Sequence, residues 1–303
     1  MILLTQTSNQ LARFKTVAAR VFHGRGKAFE GYEDINVEWY PPYLFVQNFD
    51  ETLSEHLQQE LRALFLKHEE IEAILIQSRG WPDSVTEVFL TRREIALPLS
   101  FPVSLPGEVT CEVTLGKNRN TGVFPDMRTG WHWVGDNSEN KRVLNLFCYT
   151  GVFSLFALKG NAAQVDNVDM APGVLKTAQR NHQLNGLNQG KAAFFRRDIL
   201  RSDRWFEGRH PYHLIIIDPP PYQKKAFHGW RDYERLLDMA FGALAPGGQF
   251  FMTLNNPQVS LEEFLQDIRT HFPQNEGVEV LPSGEEIREQ DDRKGLKIAV
   301  VQF

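Results

Sequence analysis

The chain has 303 residues, a length that favours two domains, and its 42% apolar and 23% charged residues are enough for a full core. A net charge of −5 excludes tight binding of naked nucleic acid through bulk charge, although a local basic patch stays open. Two cysteines, Cys111 and Cys148, exclude a disulfide framework and a paired zinc motif. The opening MILLTQTSNQLARF has no cleavable-leader pattern and no apolar run nears the ~18 residues of a membrane span, so a reducing cytoplasm with no membrane partner is expected.

Residues 1–30 read as mixed and polar. Within them VFHGRGKAFEG carries His23, Arg25 and Lys27 among glycines, a loop that is either solvated or in touch with a phosphate. INVEWY and YLFVQNF read as strands on either side of Pro41-Pro42. Leu53, Leu57, Leu61, Leu64 and Phe65 recur at helical spacing and predict an amphipathic helix over 51–66. Strands follow at 72–77 and 85–91, so residues 1–108 are expected to hold a small α/β module. The three prolines of 95–106 predict an irregular connector. Val109–Leu115 alternates as a strand does and is expected to open the second domain, 109–303. GKNRNTGVFPDMRTGWHWV, over 116–134, suits either a hairpin with a surface loop or a lid over a ligand. As a lid it would turn Asp126 or Arg128 to a charged ligand end, and an arginine can grip a carboxylate bidentately.

From Lys141 onward strands and helices alternate, which predicts a parallel, doubly wound sheet. Strands are expected at 142–146, 164–168, 192–196, 212–217 and 249–254. The helix over 171–185 begins with Pro172 and stops at Asn185-Gly186. The run YHLIII is apolar throughout, as a strand buried on both faces requires. Two last strands, 278–281 and 296–302, are expected to pair antiparallel across a charged linker, 285–294.

The chain is organised around LNLFCYTGVFSLFALKGNAAQVDNVD, residues 144–169: a strand, a turn through Phe147, Tyr149, Thr150 and Gly151, a helix, and a strand ending in Asp169 with Met170 beside it. Such a unit holds a nucleotide-like cofactor: the glycine lets backbone approach, the helix start offers N–H groups, and the acid accepts from ribose hydroxyls. A dinucleotide would need the glycine-rich pyrophosphate turn; bulky Phe147 and Tyr149 fit S-adenosylmethionine (SAM) better. A plain structural unit stays open at this point. Asp198 and Asp218 follow the next two strands, so three acids should face one crevice at the carboxyl ends of the sheet. Asp198 can accept from an adenine amino group with Ile199 as an apolar wall, and Asp218 would lie at the reactive end. Asp218-Pro219-Pro220-Pro221-Tyr222 then forms a stiff turn, suited to an amine-bearing ring that hydrogen-bonds Asp218 and stacks on Tyr222. Lys224, Lys225, His228 and Arg231 could meet a nucleic-acid backbone or simply be solvated.

LNLFCYTGVFSL, NVDMAPGVLKTAQRNHQLNGL, RRDI and IIIDPPPYQKKAFHGWRDYERLL, in this order, resemble the bacterial 23S ribosomal RNA methyltransferases of the large subunit. The resemblance covers about residues 110–303, with 31–108 similar to the small module that precedes the catalytic domain there. It implies a class I SAM-dependent methyltransferase with a Rossmann-like seven-stranded sheet, ribosomal RNA as partner, and methylation at cytosine C5 or guanine N7. TGVFPDMR is similar to the segment that closes over SAM in that family, which puts Arg128 in the cofactor set. Residues 1–30 are shorter than the RNA-binding domain that some members carry. Cytosine C5 chemistry needs a cysteine nucleophile, which the family places just after the fifth strand. Here that stretch is MTLNNPQ, so Asn255 is expected to act with Asp218 and Tyr222 in direct methylation of a nitrogen, without metal. A small-molecule or protein nitrogen as target, and a non-catalytic module of the same fold, are the alternatives.

Overall fold

The computed structural model describes residues 1–80, 84–187, 190–209, 211–220 and 230–303. It divides into two compact units: Met1–Arg128 with Gly284–Asp292, and Thr129–Ser283 with Arg293–Phe303.

The first unit runs α1 (Ile2–Arg13), β1 (Ala19–His23), β2 (Ile35–Tyr40), β3 (Tyr43–Asn48), α2 (Glu55–Lys67), β4 (Ala73–Ser78), β5 (Val85–Thr91), β6 (Leu99–Leu105) and β7 (Val109–Leu115). Strands β1 to β5 form one sheet in chain order. Only β3 and β4 pair in parallel, and α2 makes the crossover that a parallel step requires. Ser54 caps α2 by accepting from the Leu57 N–H at 3.4 Å, and Leu57, Leu61 and Leu64 are buried, as their spacing predicts. They share a core with Leu3 and Leu11 of α1 and with Val37, Leu44 and Ile74 of the sheet.

Several expectations for this unit need correction. Residues 1–30 hold α1 and β1; Leu3, Thr7 and Leu11 mark the buried helical face, but polar residues between them dilute the signal. The 95–106 segment is not irregular: β6 pairs with β7 from Leu99↔Leu115 to Leu105↔Val109. Pro102 lies on an edge strand of this two-stranded ribbon, where a proline can stand without breaking a ladder bond. A boundary at 108/109 would cut this ribbon, and the unit instead continues to Arg128. The stretch 284–292 is no bare linker. It returns to the first unit, where the Gln290 N–H donates to the Gly26 carbonyl at 2.6 Å and His23 Nε2 meets Glu289 at 3.0 Å.

The second unit follows with α3 (Arg128–Asp136), whose first residue belongs to the first unit, then β8 (Arg142–Leu146), α4 (Val152–Lys159), β9 (Gln164–Asp169), α5 (Pro172–Leu184) and β10 (Ala192–Arg196). It continues through α6 (Asp203–Glu207), β11 (Tyr212–Ile217), α7 (Trp230–Phe241), β12 (Leu244–Leu254), α8 (Leu261–His271), β13 (Gly277–Leu281) and β14 (Lys297–Gln302). The 116–134 segment is therefore neither hairpin nor open loop: a 3-10 turn at Pro125–Met127 leads into α3, which buries Trp131 and Val134. The sheet order is β10-β9-β8-β11-β12-β14-β13. β10, β9, β8, β11 and β12 pair in parallel, and β14 inserts antiparallel between β12 and β13. This is the doubly wound sheet with a closing antiparallel pair that the sequence predicts. Residues Leu214 to Ile217 of β11 are fully buried, as a central strand covered on both faces must be.

Candidate active site

The turn after β8 is held in an uncommon backbone shape. Phe147, Tyr149 and Gly151 take φ values of 55°, 47° and 81°. Left-handed conformations cost a non-glycine residue about 1–2 kcal/mol each, so surrounding bonds must fix them. The Cys148 N–H donates to the Val168 carbonyl at 3.0 Å, and the Gly151 N–H to the Cys148 carbonyl at 2.8 Å. Asn181 Nδ2 donates to the Thr150 carbonyl at 2.9 Å. A Cβ on Gly151 would stand 3.1 Å from Ala178 Cβ and 3.2 Å from His182 Cε1. Glycine is thus required twice here, by φ and by the packing of α4 on α5. Gly151→Ala is expected to lower stability by about 1–3 kcal/mol in urea denaturation; a loss below ~0.5 kcal/mol would mean that α5 yields freely.

Asp169, at the end of β9, ties this turn to the next. Its Oδ2 accepts from the Tyr149 N–H at 3.1 Å and its Oδ1 from the Ala171 N–H at 2.9 Å. A carboxylate offers about four acceptor positions, so capacity remains for ligand hydroxyls. Burial pushes its carboxyl above the ordinary aspartate value, while the Ala171 and Tyr149 amides pull the other way. Met170 beside it is exposed, an apolar side chain at a polar mouth. The N-cap of α4 is Gly151, which has no side chain of its own to cap the helix start. Carboxylate, apolar neighbour and glycine-capped helix start together suit an adenosine with a charged tail.

Beneath the turn lies a chain of polar groups that sequence reasoning missed. Asn145 Nδ2 donates to Asn167 Oδ1 at 3.0 Å, and Asn167 Nδ2 donates to Ser154 Oγ at 3.0 Å. His182 Nδ1 lies 2.7 Å from the Ala178 carbonyl, which fixes it as the donor and leaves Nε2 to accept from Ser154 at 2.8 Å. Burial depresses the His182 pKa, in keeping with a neutral ring. The available signal was two asparagines, Asn145 and Asn167, inside otherwise apolar strands.

The other expected residues lie at the same end of the sheet. Asp198 follows β10 with its side chain partly exposed, 3.5 Å from Arg201, and Ile199 is buried behind it. Asp218 follows β11 and accepts from the Thr253 hydroxyl of β12. Tyr233 of α7 donates to the Thr253 carbonyl at 3.2 Å, so β11, β12 and α7 meet at this aspartate. Asn255 is exposed just past β12. The turn it belongs to is held by Lys297, only 2% exposed, whose Nζ donates to the Asn256 and Gly295 carbonyls at 3.0 and 2.9 Å. Neither Thr253 nor Lys297 stood out in the sequence. Lys297→Met should cost roughly 1–3 kcal/mol of stability, read by urea denaturation, and an unchanged midpoint would remove Lys297 as the anchor of the Asn255-Asn256 turn. Tyr222 and the basic residues Lys224, Lys225 and His228 lie outside the described residues, as does the side chain of Arg231.

Arg128 and Asp126 both have charged partners within the first unit. Arg128 meets a carboxylate of its own chain: Nε and Nη2 bind the two oxygens of buried Glu286 at 2.8 and 2.7 Å. Nε and Nη2 of Arg128 are thereby engaged within the chain, and Nη1 is not part of this fork. Asp126 accepts from Arg20 at 2.9 Å, and Glu38 takes the same guanidinium at 2.7 Å. Both cysteines are buried, and burial pushes both thiols up, so neither resembles an activated nucleophile. Among the described residues no cluster of metal-ligating side chains occurs.

A seven-stranded doubly wound sheet with an acid closing its second strand and a left-handed turn after its first defines a class: α/β proteins that hold an adenosine cofactor at the carboxyl ends of their strands. The chain belongs to the S-adenosylmethionine-dependent methyltransferase family, whose model matches residues 19–302. It is similar to ribosomal RNA large subunit methyltransferase I of Aeromonas hydrophila, 38% identical over 146 residues that make up 47% of this chain and 37% of that protein. It is similar also to ribosomal RNA large subunit methyltransferase K/L of Pseudomonas putida, 36% identical over 167 residues, 52% of this chain and 22% of that protein. The chain thus spans little more than a third of the first relative and less than a quarter of the second. The crystal structure of SMU.776 complexed with SAH superposes with a TM-score of 0.85 at 20% identity, covering 99% of this chain and 80% of that one. The cofactor is SAM. It supplies a methyl group made electrophilic by its sulfonium, and the residues around Asp169 suit its adenosine.

Proposed function

We propose that this methyltransferase acts on a nitrogen of a nucleobase in ribosomal RNA, by direct displacement and without a covalent enzyme intermediate. The observation that carries this is Asp218, fixed by Thr253 at the mouth of the sheet and followed by Pro219-Pro220, with no activated cysteine anywhere in the chain. A covalent attack on cytosine would need such a thiolate. A nitrogen lone pair needs only in-line placement and an acceptor for its proton.

In this reading Asp218 accepts the N–H of the target base, Asn255 orients the ring edge, and Tyr222 stacks on its face. Asp169 holds the ribose, Asp198 and Ile199 border the adenine, and the turn from Phe147 to Gly151 shapes the wall between them. Ribosomal RNA as partner rests on the two relatives, whose names specify it. The compartment proposed is the cytoplasm, and among the described residues no helix is long and apolar enough to cross a membrane.

The test is transfer of tritium from labelled SAM to ribosomal RNA that lacks its natural methyl groups, offered free and in assembling subunits. Label in a methylated purine or pyrimidine nitrogen is expected. Label at cytosine C5, or in protein or small molecules alone, would overturn the proposal.

A further inference from the structure

One end of the first unit's sheet gathers positive charge that none of the roles above uses. Arg25 follows β1, Phe49 follows β3, Arg79 follows β4, and Lys117 and Arg119 follow β7. The Arg25 guanidinium sits 4.4 Å from the Phe49 ring centre and that of Arg79 sits 5.5 Å from the same ring. Arg79 Nη2 donates to the Arg119 carbonyl at 2.7 Å, and Gln77 Nε2 donates to the Asn118 carbonyl at 3.0 Å. The loop of Lys117 and Arg119 is therefore fastened to β4 beside the stacked arginines. Arg25, Lys117 and Arg119 are exposed.

Like charges do not gather this way without a cost. Among the described residues no carboxylate comes within salt-bridge distance of Arg25, Arg79 or Arg119; the nearby Asp50 accepts from the Glu51 N–H of its own loop. Arg79 Nε is buried and has no hydrogen-bond partner among the described residues. Burial lowers the Arg79 pKa, opposed by Glu38, with Arg119 adding to the lowering. Contrast Arg20 of the same unit, which two acids neutralise. Guanidinium planes on a ring, with further cations a loop away, match phosphates at successive positions and bases that stack on arginine.

We infer that Arg25, Arg79, Lys117 and Arg119 around Phe49 form a contact surface for the backbone of the substrate RNA. The inference rests on the reading of RNA as substrate. It also accounts for RNA binding by a chain with a net charge of −5, since the positive charge is local.

The test compares the full chain with Lys117→Ala/Arg119→Ala and with Arg25→Ala/Lys117→Ala/Arg119→Ala, using unmodified large-subunit ribosomal RNA transcripts in filter binding. A control, Lys15→Ala/Arg62→Ala, removes exposed charge elsewhere on the unit. The triple variant should bind about 10- to 100-fold more weakly at low salt, and its log–log salt slope should be shallower by about 2, at ~0.7 per single-strand contact. SAM affinity and thermal midpoint should not move, and the control should retain most of its binding. If wild type binds and methylates RNA while the double and triple variants bind as well as the control, the surface is misplaced and the substrate stands. If wild type neither binds nor methylates ribosomal RNA, the substrate reading fails and this surface with it.

Discussion

Asp169→Ala should weaken SAM binding at least 100-fold in isothermal titration. Hydrogen bonds to a charged acceptor are worth about 1.5–3 kcal/mol each, and two ribose hydroxyls would lose theirs. The substitution also frees the Tyr149 and Ala171 amides, so the left-handed turn loses its tie to β9. Asp169→Asn separates the two effects: its one carbonyl can keep part of the turn but cannot serve as a doubly accepting anion.

Acidity adds a second readout. Burial raises the Asp169 carboxyl above its ordinary value, so the fold binds that proton more readily than the unfolded chain does. Between the ordinary and the raised value the native state carries the extra proton, and this group's contribution makes stability decline as pH rises through that window. Its capacity to accept from ribose runs the other way and is lost as pH falls through the same window. SAM affinity should therefore drop on acidification while ordinary aspartates are still ionised, and Asp169→Asn should flatten that dependence. Unchanged affinity in Asp169→Ala would mean that the ribose is held elsewhere.

Much of the second unit was legible because its signals are local. The buried run of β11, the Pro172 start of α5 and the acids closing β9, β10 and β11 each reflect one element's own chemistry. The first unit was read less well for the opposite reason. β6 depends on β7 for its identity, and a proline-bearing ribbon has no period that marks it off from a loop. The return of 284–292 is a long-range fact: Glu286 and Glu289 look like solvated charge until Arg128 and His23, far away in sequence, are placed against them. Arg128 shows the same limit: its fork meets the carboxylate of Glu286, 158 residues further along the chain. Thr253 and Lys297 were invisible because each matters only through the turn it holds.

Asp218 gives the sharpest test of the chemistry. Asp218→Asn is isosteric and can still receive the Thr253 hydroxyl at its carbonyl, so the corner of β11, β12 and α7 should persist. What it loses is the negative charge that, in the proposed reading, would accept a proton from the target nitrogen. Removal of a positioned general base costs about 10²–10⁴ in rate, so single-turnover transfer should slow by at least ~100-fold, while SAM affinity moves only a few-fold. Thr253→Val keeps the charge but removes the donor that fixes it, and a rate loss nearer tenfold is expected. The order of the two matters as much as their size. If Thr253→Val were as severe as Asp218→Asn, the aspartate would be acting through packing of the corner. If Asp218→Asn transferred methyl groups at the wild-type rate, the target nitrogen would be losing its proton to another group, and the base would have to be sought beyond β11.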